Sequence, residues 1–125
     1  MDYNESGETS VEGFLSGKSE LTISLFEHFT DQFSRVGNIS LHATKTMIAV
    51  SNGDKRIAWI TQLGKNFIHV VLPFEKPYPE NLCFQKIAQV PGDDKQFNHH
   101  LRIYSKDDIN EEVMGFMKLA FDGNG

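Results

Sequence analysis

The sequence predicts an α+β fold: a mainly antiparallel sheet of about five or six strands, with an N-terminal and a C-terminal helix packed on one face. Two observations carry this. Apolar residues recur at spacings of three and four near both ends of the chain, whereas the middle alternates with period two and is rich in β-branched and aromatic residues. A length of 125 residues suits one domain with its own core and leaves no room for a second.

Residues 1–9 are polar and acidic without periodicity, and are expected to form a flexible tail ahead of a single domain over 10–125. Ser10 to Leu15 can form a short helical turn before Gly17. Ser19 is a helix N-cap with Glu20 in the first turn, and Leu21, Leu25, Phe26, Phe29, Phe33 and Val36 form one apolar stripe. Gly37 stands where a left-handed C-terminal cap belongs.

Strands follow. Ile39, Leu41 and Ala43 alternate with polar neighbours, and Lys45 to Val50 runs into Asn52-Gly53, the pair that favours a type I′ hairpin turn. The return strand is Arg56 to Gln62, the next turn Leu63 to Asn66, and Phe67 to Leu72 completes a meander. Pro73, Pro77 and Pro79 then interrupt any ladder, because proline has no amide proton. Phe84 to Val90 and Phe97 to Tyr104 read as further strands around a Pro91-Gly92 turn. Ser105 with Asp108 gives the capping pattern of a last helix, whose stripe is Ile109, Val113, Phe116, Met117 and Ala120.

Composition excludes several classes. No run approaches the roughly 20 apolar residues of a spanning helix, so no membrane partner is expected. The start, Met1 to Glu8, has neither the basic nor the apolar segment of a secretory signal, and Cys83 is the sole cysteine. Both point to a reducing, cytoplasmic setting and to Cys83 as a small buried hydrophobe. The net charge of −5 is uneven. Five acids against one lysine occupy residues 1–20 and five against two occupy 106–125, leaving a mildly basic middle. With no clustered basic stripe and acidic ends, nucleic acid is not expected as a partner.

The series Lys45-Thr46-Met47-Ile48-Ala49, then Arg56-Ile57-Ala58, then His99 to Ile109 resembles a widespread bacterial family of unknown function. Its members are often labelled "predicted transport protein" and occur alone or fused to nuclease-like domains. The likeness spans most of residues 11–122. It departs at Met47, where the family usually has an aromatic residue, and at Thr61-Gln62-Leu63-Gly64, where the family has a more basic, proline-containing turn. The resemblance implies the helix, sheet, helix order and no established activity.

Two helices in so short a chain cover one face of a sheet but hardly both. Leu101, Ile103, Ile68, Val70 and Leu72 are expected to face the helices, turning His100, Arg102 and Tyr104, with Phe67, His69 and Val71, to the other side. Trp59, flanked by Ile57 and Thr61, is expected to join them. Trp59, His69, His100, Arg102 and Tyr104 are therefore the candidate ligand-binding residues of a non-enzymatic binding or interaction module. Arg102 is its anion-recognising donor, and the partner is an unidentified ligand or protein or, through the same face, a second copy. The competing expectation is a merely solvated face, partly covered by the proline-rich segment from Pro73 to Asn81.

An alternative from another class is a small acid-base or hydrolytic enzyme centred on His99 or His100, with Asp93 or Asp94 as orienting carboxylate. No nucleophile or oxyanion donor accompanies them, so no residue is assigned as catalytic. The five histidines, His28, His42, His69, His99 and His100, show no His-x-His or His-x-x-x-His spacing, and no metal ligand is assigned. No glycine-rich loop leads into a helix, and no cofactor is expected.

Overall fold

A computed structural model describes residues 10–123; the tail expected over residues 1–9 lies outside the described residues. Three helices, α1 (Val11–Leu15), α2 (Glu20–Val36) and α3 (Glu111–Asp122), accompany six strands. The strands are β1 (Ser40–Ala43), β2 (Ile48–Ser51), β3 (Arg56–Leu63), β4 (Ile68–Phe74), β5 (Lys86–Gln89) and β6 (Phe97–Ile103). They form one sheet in the order β1-β2-β3-β4-β6-β5, with every pair antiparallel. The fold is α+β, as the sequence predicts.

α2 forms because Ser19 accepts a hydrogen bond from Thr22 N and the stripe then repeats without a breaker. Leu25, Phe26, Phe29 and Phe33 are buried from it, each contributing about 1.5–3 kcal/mol of transfer free energy against its ordering cost. Gly37 ends the helix, but at φ 175° it is extended rather than left-handed. Its reason is space: a Cβ there would strike the Phe121 ring.

α3 begins later than the Ser105 pattern implies. Asp108 Oδ2 does accept from Tyr104 N and Ser105 N, but the turn so closed is a 3-10 turn, Lys106–Asp108. Asn110 then caps α3 by accepting from Val113 N, and Gly123 closes it at φ 74°. Val113, Met117 and Ala120 are its buried residues.

The β2–β3 connection also differs from expectation. Gly53 has φ 100°, but Asn52 stays at negative φ, so the turn is not type I′. Asn52 Oδ1 instead accepts from Asp54 N and Lys55 N, and its Nδ2 donates to Phe121 O at 2.8 Å. Four residues thus separate the strands, and the loop clasps the end of α3.

Two β-bulges interrupt the alternation of β3. The β2–β3 register runs Val50 to Ala58 and then Ser51 to Arg56, so Ile57 is an extra residue. On the other side the β3–β4 register passes from Ile60–Val70 to Gln62–His69, leaving Thr61 as the extra one. Ile57 and Ala58 consequently both enter the core, and Ile57 does not flank Trp59 on the open face as strict alternation requires.

The core lies on one side of the sheet. Ile48, Val50, Ile60, Ile68, Val70, Leu72, Leu101 and Ile103 meet α2 and α3 there. The proline-rich segment joins that same layer: Tyr78 N donates to His99 Nε2, Asn81 Nδ2 donates to Glu112 on α3, and the Tyr78 and Phe84 rings pack on Phe116. It does not cover the opposite face. No helix among the described residues is long and apolar enough to cross a membrane.

Candidate functional site: the uncovered sheet face

One cross-strand row spans all six strands of the open face: His42, Ala49, Trp59, Val71, His100 and Lys86 stand opposite one another in turn. The next row places Gln62, His69 and Arg102 side by side. Ala49 and Val71, on either side of Trp59, are buried although no helix lies on that face. Arg56 reaches the same face through the first bulge, because its partner is Ser51, two residues beyond Ala49. Its guanidinium lies 5.4 Å from the Trp59 ring centre.

At the centre, Arg102 Nε donates to His69 Nδ1 at 3.0 Å, and His69 Nε2 lies 2.9 Å from His100 Nδ1. A guanidinium has donors only, so His69 Nδ1 must offer its lone pair and carry its proton on Nε2. That proton goes to His100 Nδ1, which leaves the His100 proton on Nε2. The three side chains form a directed chain of donors that fixes both tautomers.

Burial lowers the pKa of His69, as do the neighbouring His100, Arg102 and Lys86, and burial followed by Lys86 lowers that of His100. Both rings are thereby favoured in the neutral form that the hydrogen-bond chain demands.

The Arg102 guanidinium stacks 4.3 Å above the Phe67 ring, and Phe67 in turn meets Tyr104 at a centroid distance of 5.7 Å. Phe67 folds back over the turn between β3 and β4, where Gly64 leaves room for it: a Cβ on Gly64 would collide with the ring. Arg102 keeps its terminal N–H groups uncommitted among the described residues, whose ion pairs are Arg35–Asp31 and Lys118–Asp122, both on helices.

The residues expected from sequence thus fall into two groups. His69, His100 and Arg102 are joined by hydrogen bonds, with Tyr104, just past the end of β6, reached through Phe67. Trp59 stands apart from them, two strands away from His100 along their shared row. Lys86 escaped sequence reasoning, and Arg56, at the start of the return strand, reads from sequence as a solvated hairpin end beside Lys55. The consecutive apolar pair Ile57-Ala58 is the one trace of the bulge that brings Arg56 to this face.

His99 points the other way and is fully buried. Its Nδ1 donates to Phe97 O and its Nε2 accepts from Tyr78 N, with the Phe74, Tyr78 and Phe84 rings around it. Burial lowers its pKa. Neither His99 nor His100 is hydrogen-bonded to a carboxylate among the described residues, and Asp93 instead closes its own turn by accepting from Lys95 N. Cys83 is half-buried, and burial together with Glu112 pushes its thiol up to about 11.

No protein-family model, curated protein or solved structure matches the chain. Function must therefore be read from the residues themselves.

At the end of the face where β3 begins and β4 finishes, the ladder stops at Trp59–Val71, before Pro73. A cleft of about 350 Å³ opens there between the edge of this face and the end of α3, lined by Lys55, Arg56, Trp59, Glu75 and Lys95 and, across from them, by the last turn of α3. Among the described residues, no group of three histidine, cysteine or acidic side chains is placed to hold a metal ion.

Proposed function

We propose that this protein is a non-enzymatic binding module that recognises an anionic group on its uncovered sheet face. The observation that carries the reading is the directed chain from Arg102 through His69 to His100, which ends in donors with no acidic partner among the described residues. Arg102 offers its terminal N–H groups, His100 its Nε2–H, and Lys86, paired opposite His100 in β5, a further charge. Charge-assisted bonds of this kind are the strong ones for phosphate or carboxylate.

The acid-base alternative finds, among the described residues, no carboxylate hydrogen-bonded to His99 or His100 to orient a poised histidine. Self-association through the face is the other use of its aromatic area. A twofold contact would set Arg56, Lys86 and Arg102 of one copy against the same residues of the other, with no strand carboxylate to offset them.

The test is a titration with inorganic pyrophosphate followed by amide and histidine-ring chemical shifts. Changes centred on Lys86, His100 and Arg102, lost in Arg102→Gln, are expected. An absence of shifts, or shifts that Arg102→Gln leaves intact, would remove the reading.

A further inference from the structure

We infer that the uncovered face accommodates a single strand of nucleic acid, laid from the cleft beside Trp59 to the Phe67–Tyr104 pair. The inference rests on the anion-binding reading above and extends it to a polymer. Acidic ends and the lack of a basic stripe along the sequence speak against nucleic acid, but strand pairing brings cations distant in sequence onto one face.

The six strands contain no acidic residue, whereas Arg56, Lys86 and Arg102 lie within them. The sheet is thus a path free of strand carboxylates across a molecule whose net charge is −5. Cations mark both ends. Lys55, Arg56 and Lys95 surround the cleft against the single carboxylate of Glu75, and Arg102 and Lys86 stand at the far end.

From Arg56 to Arg102 the path crosses two strand spacings and roughly four residues of rise, about 16 Å in all. That is more than one nucleotide reaches. It suits a chain of phosphates better than a single anion.

Planar groups lie along the same path. Trp59 is half-buried and has Arg56 against it, and Arg102 presents its guanidinium plane above Phe67. Tyr104 is 50% exposed beside them. Aromatic rings and arginine planes interleaved with cations are what unpaired bases stack upon. A duplex would bring its second backbone toward the loops at the cleft end, where Asp54, Glu75, Asp93 and Asp94 are all exposed.

Trp59 is the only tryptophan, so its fluorescence reports stacking directly. Ten-nucleotide oligo-U and oligo-dT, the matching duplex, uridine monophosphate and inorganic polyphosphate would be titrated at low salt into the full chain and into the triple variant Lys55→Gln, Arg56→Gln, Lys95→Gln. All three substituted residues are exposed. Expected are quenching by the single strands, affinity at least tenfold above the mononucleotide and the duplex, and a tenfold or greater loss in the triple variant with pyrophosphate binding unchanged. Comparison of oligo-U with oligo-dT separates RNA from DNA as the source.

Binding of pyrophosphate with no gain for the oligonucleotide would overturn the strand and leave the anion site standing. Equal binding of polyphosphate and oligonucleotide without quenching would also overturn it, since no base is then stacked. Loss of pyrophosphate binding as well would mean that the underlying anion reading had failed.

Discussion

His69, His99 and His100 are three neutral imidazoles held in two different tautomers by their partners. Arg102 and His69 place the protons of His69 and His100 on Nε2, whereas Phe97 O and Tyr78 N place that of His99 on Nδ1. Long-range nitrogen–proton NMR spectra at neutral pH should show this split, two rings of one kind and one of the other. A directly related outcome concerns acid. All three pKa values are lowered on folding, so the unfolded chain takes up protons first as pH falls below the ordinary histidine value. Stability should therefore be complete above about pH 6.5 and decline as pH drops from there through the lowered values, measurable as a falling denaturant midpoint. His99→Phe should cost about 1–3 kcal/mol at pH 7, because the Tyr78 amide loses its acceptor, and it should flatten the acid decline. An unchanged slope in that variant would show that His99 is not among the groups responsible. Sequence showed that His99 and His100 face opposite sides, since alternation in a strand is local. It could not show the Arg102–His69–His100 chain, which joins β4 to β6 and depends on register.

Elements are fitted to one another at two glycines whose role is room rather than backbone freedom. Gly37 lies under the Phe121 ring, so the start of the first strand and the end of α3 approach closely. Gly37→Ala should destabilise by about 1–2 kcal/mol. Combined with Phe121→Ala it should show a coupling of opposite sign, because the ring it displaces is then gone. Gly64 does the same for Phe67. Gly64→Ala should push Phe67 from beneath Arg102 and weaken pyrophosphate binding several-fold while the fold persists, which circular dichroism and the same titration would separate. The glycines were visible in the sequence as turn or cap signals, and that reading found the right positions with the wrong cause at Gly37. The cause involves a partner 84 positions away, Phe121, and no local pattern encodes such a contact. The start of α3 illustrates the converse case: Ser105 and Asp108 carry a true capping pattern, but it closes a 3-10 turn because Asn110 supplies a second cap just beyond.

At the scale of the molecule, charge is sorted between layers. The helices hold Glu12, Glu20, Glu27, Asp31, Glu111, Glu112 and Asp122, while the strands hold no carboxylate. A chain with a sequence pI near 5.4 should nevertheless be retained on immobilised heparin at low ionic strength and released by modest salt, since exposed charges are screened within about 10 Å at 0.1 M. The variant Arg56→Gln, Lys86→Gln, Arg102→Gln should pass through unretained. Retention of that variant would locate the polyanion surface elsewhere. The order of helices and strands was legible from periodicity, and so was the existence of an open face, because two helices leave one side of the sheet bare. What net charge hid was the segregation, which becomes visible only once strand boundaries are known and each carboxylate can be assigned to a layer.

The bulge at Ile57 has a bearing on how the chain tolerates changes in length. Removing Ile57 or Ala58 would restore regular pairing between β2 and β3 with Arg56 still opposite Ser51 on the open face, at the cost of one buried side chain. A one-residue deletion in a regularly paired stretch reassigns the faces of everything on one side of it, whereas at the bulge the extra residue absorbs the loss. In β3, then, a variant one residue shorter at the bulge should be less stable while presenting nearly the same charged surface.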